Sequence, residues 1–168
     1  MIETARLVLR PWIESDKPAL YAMWADPLVM AELGGVVGRA GGDANLARHD
    51  SYAPLGFQVA ARREDGAVLG FVGLKPGAAN TPIAGGLEIG WVLARDHWGG
   101  GYAREAASAW LGWAWVHRPE PEVFAITSHA NAASRRLMER LGMRHDPTLD
   151  FVHPDGGDSV TYRIARPA

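Results

Sequence analysis

Three consecutive glycines, Gly99, Gly100 and Gly101, separate a run that alternates like a strand from a run that repeats like a helix. Before them, Leu87, Ile89, Trp91 and Leu93 project to one face, large and apolar, while Gly86, Glu88, Gly90 and Val92 project to the other. After them, Ala106, Ala109/Trp110 and Trp113 form an apolar stripe on a helix of about residues 103–116. The next β-type run is Val123-Phe124-Ala125-Ile126-Thr127. A strand that turns through glycines into a helix and then a further strand predicts a parallel pair flanking that helix.

The rest of the chain adds antiparallel signals. Leu7–Trp12 predicts a first strand, and Ser15 or Asp16 is placed to cap a helix carrying Leu20, Met23 and Trp24, which stops near Asp26-Pro27. Residues 34–45 hold five glycines without stable periodicity and predict a flexible loop. Phe57–Ala61 and Val68–Leu74 predict a hairpin around Glu64-Asp65-Gly66. A Pro/Gly-rich loop follows at 75–86. A helix over about Ala132–Leu141 ends at Gly142, and short strands around Phe151-Val152 and Val160–Ile164 close the chain. With 168 residues, 48% of them hydrophobic, one domain over 1–168 with its own core is expected.

Composition narrows the function classes. A net charge of −2 carries no basic field, which argues against a nucleic-acid partner. The absence of cysteine excludes disulfides, thiolate metal sites and an acyl-cysteine intermediate. The six histidines (49, 97, 117, 129, 145 and 153) show no ligand spacing, so no metal is expected; His97 stands beside the glycines and is a minor phosphate candidate. The start, Met-Ile-Glu-Thr-Ala-Arg, lacks the basic and apolar regions of a signal peptide, and the apolar stretch Trp110–Val116 is too short to span a bilayer. The expectation is a cytoplasmic protein with no membrane partner. Trp110, Trp113 and Trp115 leave a homodimer face open.

Two readings of the glycines stand together: a plain turn, and a cradle that brings backbone N–H groups of a helix N-terminus to a phosphate. The dinucleotide fingerprint fails because Arg104 stands where its last glycine belongs, and no Gly-Lys-Ser/Thr makes a P-loop. Glu88, a carboxylate between two glycines on the non-core face, looks into open space. It is a candidate base or ammonium site; the plainer readings are a solvated strand residue or an arginine partner. Ser134 shares an inward stripe with Leu137, Met138 and Leu141, so its hydroxyl needs a partner, either its own helix or a ligand. Asn131 is placed to cap that helix. Arg135 and Arg136 are either solvated or within reach of phosphate.

Leu87–Leu93 followed by Trp98-Gly99-Gly100-Gly101-Tyr102-Ala103-Arg104-Glu105-Ala106 resembles the cofactor motif of the GNAT N-acetyltransferases, Arg/Gln-x-x-Gly-x-Gly/Ala, with Gly101 and Ala103 at its small positions. Trp98 replaces the usual Arg or Gln. With Asn131-x-x-Ser134…Leu141-Gly142-Met143 and the opening Thr-Ala-Arg-Leu-Val-Leu-Arg-Pro, it is similar to the RimJ/RimL-like branch, from about residue 4 to the end. The resemblance implies an α/β (α+β) fold: a mixed, mostly antiparallel sheet, a parallel strand pair splayed at the cofactor site, and helices on both faces. It implies acetyl-CoA as co-substrate and an amine acceptor attacking the thioester directly. It assigns cofactor contacts to the backbone of Val92, Leu93 and Ala94, to Trp98 through Arg104, to Asn131 and to Ser134. Glu88 becomes the base and Ser134 the donor toward the thiolate. A lysine-type amine has a pKa of about 10.4 and an α-amine about 7.8, so the nucleophile must lose a proton first. A non-catalytic acyl-CoA-binding module is the alternative; a Rossmann-type enzyme is disfavoured by Arg104 and the leading hairpins. The acceptor stays open, its wall expected from residues 15–50, 75–86 and 144–158. Acyl length stays open as well, at only about 1 kcal/mol per methylene.

Overall fold

The computed structural model describes residues 1–152 and 157–168. The strands are β1 (Ile2–Glu3), β2 (Leu7–Arg10), β3 (Gly56–Arg62), β4 (Val68–Pro76), β5 (Leu87–Leu93), β6 (Glu122–Ser128), β7 (Arg144–His145), β8 (Phe151–Val152) and β9 (Asp158–Ala165). The helices are α1 (Lys17–Ala25), α2 (Pro27–Met30), α3 (Arg39–Asp50), α4 (Tyr102–His117) and α5 (Ala132–Arg140). The sheet runs β1-β2-β3-β4-β5-β6-β9-β7, with β8 also on β9. β5–β6 is parallel and the other pairings described are antiparallel.

Apolar side chains fill both faces. On one, Leu7, Leu9, Leu87, Ile89 and Val123 pack with Ala106, Ala107, Trp110 and Leu111 of α4. On the other, Val59, Ala61 and Phe71 pack with Leu20, Met23 and Trp24 of α1 and Leu46 of α3. The helices therefore lie on both sides of the sheet. The buried stripe of α4 runs through Ala106, Ala107, Trp110, Leu111 and Ala114, one position beyond the expected Ala109 and Trp113, which are half-buried against it. Trp115 is likewise partly buried against the core.

Two local expectations are corrected. Asp16 does not cap α1: its buried carboxylate takes a bidentate bond from Arg10 (2.7 and 2.9 Å) and the Ile13 N–H (2.8 Å), closing the chain after β2. And residues 39–45, expected in a flexible loop, form most of α3. Two glycines in its first turn cost at most about 2 kcal/mol relative to alanine, which burial of Leu46 alone, worth about 1.5–3 kcal/mol, offsets. Gly42 is required by packing: a Cβ there would sit 2.8 Å from the Tyr21 ring and 3.2 Å from Trp24.

Candidate functional site

The parallel pair is short. β5 and β6 are in register only at Leu87–Val123 and Glu88–Phe124; beyond Glu88 they part, β5 staying on β4 and β6 on β9. An open gap thus runs through the middle of the sheet. The Ala94 N–H donates to the Leu69 carbonyl on the β4 side (2.9 Å), while the Leu93 carbonyl faces away and accepts the Trp98 indole N–H (2.8 Å). Strand alternation then turns the amides of Trp91 and Leu93 toward the gap and those of Val92 and Ala94 toward β4. Of the three expected backbone donors, Ala94 is engaged inside the sheet, Val92 faces the same way, and Leu93 faces the gap. Trp91, which sequence reasoning had placed only in the core, joins it.

The glycine loop lies at the far end of β5. Gly99 and Gly101 have φ of 75° and 77°, conformations that disfavour a side chain. Gly101 is the N-cap of α4 and no side chain caps the helix; the first intrahelical donor is Glu105, to the Gly101 carbonyl (3.1 Å). The amides of Tyr102, Ala103 and Arg104 precede it and point out of the helix end. Trp98, half-exposed, pins the loop to β5 through its indole N–H, which is the physical role of the residue where Arg or Gln is commoner.

The loop is braced from the chain's opening segment. The Glu105 carboxylate accepts the Thr4 hydroxyl (2.6 Å), the Arg6 N–H (2.8 Å) and the Arg6 Nε–H (2.7 Å). Arg6 also donates to the Gly100 carbonyl (2.9 Å) and lies 4.4 Å over the Tyr102 ring. Burial pushes this carboxyl up, but the bonds from Thr4 and Arg6 outweigh it and hold it below the usual range. The Thr-Ala-Arg opening and the Glu-Ala continuation of the loop are therefore one network. Glu105→Ala is expected to cost about 2 kcal/mol, lowering Tm by about 4–8 °C in a thermal melt; an unchanged Tm would show the brace to be idle.

Glu88 and Ser134 flank the gap from opposite faces. Glu88 does not look into open space as expected. Its carboxylate takes a short hydrogen bond from Lys75 Nζ on β4, and the two side chains are 12% and 22% exposed. Burial raises the Glu88 pKa above the ordinary glutamate value, and Lys75 opposes the shift. On the other face, Trp91 Nε1 donates to Ser134 Oγ (3.3 Å), leaving the serine's own hydrogen free to donate elsewhere. Asn131 caps α5 by accepting the Ser134 N–H (3.0 Å). Arg135 donates to the His129 carbonyl (3.2 Å) and the Tyr162 hydroxyl (3.4 Å), whereas Arg136 and Arg104 are exposed.

The segment from Asp26 to Glu32 arches over the open mouth. Asp26 pairs with Arg95 (3.3 Å) just past β5, and Glu32 accepts the Ser128 hydroxyl at the end of β6. Neither tie was legible in the sequence, because each joins residues far apart in the chain. Buried His49 accepts the Phe57 N–H at Nδ1 (3.0 Å) and is held neutral, its pKa pushed down to about 3 by burial, then by Arg48 and Lys75. His97 is half-buried beside the loop, and His153 lies outside the described residues. No group of three metal-ligating side chains occurs among the described residues, and no helix there is long and apolar enough to cross a membrane.

Comparison with known proteins gives a consistent picture. Residues 6–144 match the family model described as an acetyltransferase (GNAT) domain. The Bacillus subtilis protein YkkB is 30% identical over 151 residues, covering 87% of this chain and 86% of that one. An acetyltransferase from Agrobacterium tumefaciens superposes with a TM-score of 0.83 at 29% identity, over 97% of this chain and 92% of that one. Spermidine N-acetyltransferase from Vibrio cholerae, solved with CoA and spermine, shares the fold at a TM-score of 0.76 and 15% identity, over 97% of each chain.

Proposed function

The chain belongs to the GNAT acetyltransferase family, and from that premise we propose that it moves an acetyl group from acetyl-CoA to a primary amine by direct attack, in the manner of the RimJ/RimL-like branch. The observation that carries this reading is the gap between β5 and β6, opening beside an uncapped helix end. Phosphates sit on the amides of Tyr102, Ala103 and Arg104, reached across Gly99–Gly101, where the helix N-terminus favours negative charge. The pantetheine arm enters the gap along the free β5 edge at Trp91 and Leu93, with Asn131 and Ser134 on its α5 side. The Vibrio cholerae enzyme, of the same fold, holds CoA.

Glu88 stands where the strands begin to part, on the face opposite Ser134. An amine arriving as its ammonium loses one proton toward Glu88 and solvent. Its nitrogen bonds to the acetyl carbon, the carbon–sulfur bond breaks, and the electron pair leaves on sulfur. The second ammonium proton neutralises that thiolate, toward which Ser134 donates a hydrogen bond. Burial favours this role for Glu88 by making its carboxylate more basic than an exposed one.

Acetyl-CoA at about 100 times its Kd is expected to stabilise the protein by about 2.7 kcal/mol, read as a rise in Tm. Release of free thiol with an amine panel then separates an enzyme from a module that only binds acyl-CoA. No rise in Tm at saturating acetyl-CoA overturns the cofactor assignment; a rise without thiol release from any amine leaves the binding module.

A further inference from the structure

We propose that the acceptor is an amino acid, or a small zwitterion like one, whose amine meets Glu88 and whose carboxylate meets Lys75. This rests on the acetyltransferase reading above and names the substrate class of the same site. Lys75 and Glu88 are directly opposite in the β4–β5 register, bonded to each other, and both partly open to solvent. Glu88 is the last residue at which β5 pairs with β6, so the ion pair stands where the gap begins to open.

Two aromatic rings flank the pair. The Phe57 ring lies over Gly90, whose added Cβ would come within 2.4 Å of it, and Phe124 lies over Gly86 at 3.1 Å. His49, close enough to feel the charge of Lys75, is buried and neutral. One cation and one anion therefore stand side by side between two aromatic rings. A ligand with an ammonium and a carboxylate on one carbon can lie head to tail against that pair, leaving no charge unmatched. A lone amine has to part Glu88 from Lys75 and leaves the lysine ammonium facing the incoming one, partly desolvated. A polyamine adds further positive charge beside Lys75. A peptide N-terminus carries an amide where the carboxylate belongs and gains nothing from Lys75. The ion pair thus favours one class and opposes the others.

The test is thiol release from acetyl-CoA at pH 8 with matched acceptors: L-leucine and L-phenylalanine, their carboxamides, a short unblocked peptide, and spermidine. The free acids are expected to exceed their amides in kcat/KM at least tenfold, even though their amines are the more basic. Lys75→Gln is expected to erase that ratio and Lys75→Arg to keep it, with a retained acetyl-CoA-induced rise in Tm showing that each variant is folded. Amides, peptide or spermidine turning over as well as the acids, or a ratio unmoved in Lys75→Gln, overturns the inference while the acetyltransferase reading stands. Silence from every amine overturns that reading as well.

Discussion

Gly101→Val is expected to weaken acetyl-CoA binding at least a hundredfold and to abolish the acetyl-CoA-induced rise in Tm. Gly101 has φ of 77° and caps α4, so a β-branched residue there carries about 1–3 kcal/mol of backbone strain. Relieving the strain rotates the first turn and scatters the amides of Tyr102, Ala103 and Arg104, whose convergence is what a pyrophosphate would use. The matched control is Gly112→Ala, an exposed position further along α4 with nothing within 4 Å of an added Cβ. That substitution is expected to stabilise the helix by about 0.5–1 kcal/mol and leave binding intact. Titration calorimetry reads both, and unchanged affinity in Gly101→Val places the phosphates elsewhere.

Glu88→Gln is expected to lower kcat/KM for the acceptor about 10²–10⁴-fold while acetyl-CoA still raises Tm. Glutamine keeps the shape and can still accept from Lys75, so the loss isolates the proton acceptor. The same carboxylate sets a pH signature. Burial raises its folded pKa, so the ionised form needed for catalysis builds up at higher pH than in an exposed glutamate, and the acid limb of the rate profile shifts upward accordingly. For stability the sign is the reverse: a raised folded pKa means that Glu88 favours folding at low pH and loses that contribution as pH rises through the folded value. Glu88→Gln is therefore expected to flatten both dependences, measured by initial rates and by melts across pH. A variant with wild-type rates removes Glu88 from the reaction.

Much of the architecture was legible because local and long-range signals agreed. Leu87–Leu93 is a strand with the expected bounds, since its alternation, its following glycines and its burial all demand the same conformation. Asn131 caps α5 and Gly142 takes φ of 83°, each for reasons visible within a few residues. α3 was not legible: glycine argues for a loop locally, and only contact with Tyr21 and Trp24 shows that Gly42 is the residue that lets two helices approach. The site divides the same way. The glycine turn and the face carrying Glu88 follow from spacing. Its bond to Lys75 depends on a register between strands, as do the turned amides of Val92 and Ala94, and the Trp91–Ser134 bond depends on tertiary packing. None of these leaves a trace in one strand's own sequence.

The brace on the glycine loop has a kinetic side. Arg6 and Gly100 are 94 residues apart, and Thr4 and Glu105 are 101 apart. β3, β4 and β5 pair with their neighbours in sequence through short connections, whereas β2 reaches β3 past three helices and the brace joins the ends of the whole stretch. The loop acquires its final shape only when the first strand has docked beside α4. The loop proposed to hold the cofactor is therefore expected to be the last of this stretch to gain its shape as the chain folds, and the first to lose it when the opening residues fray.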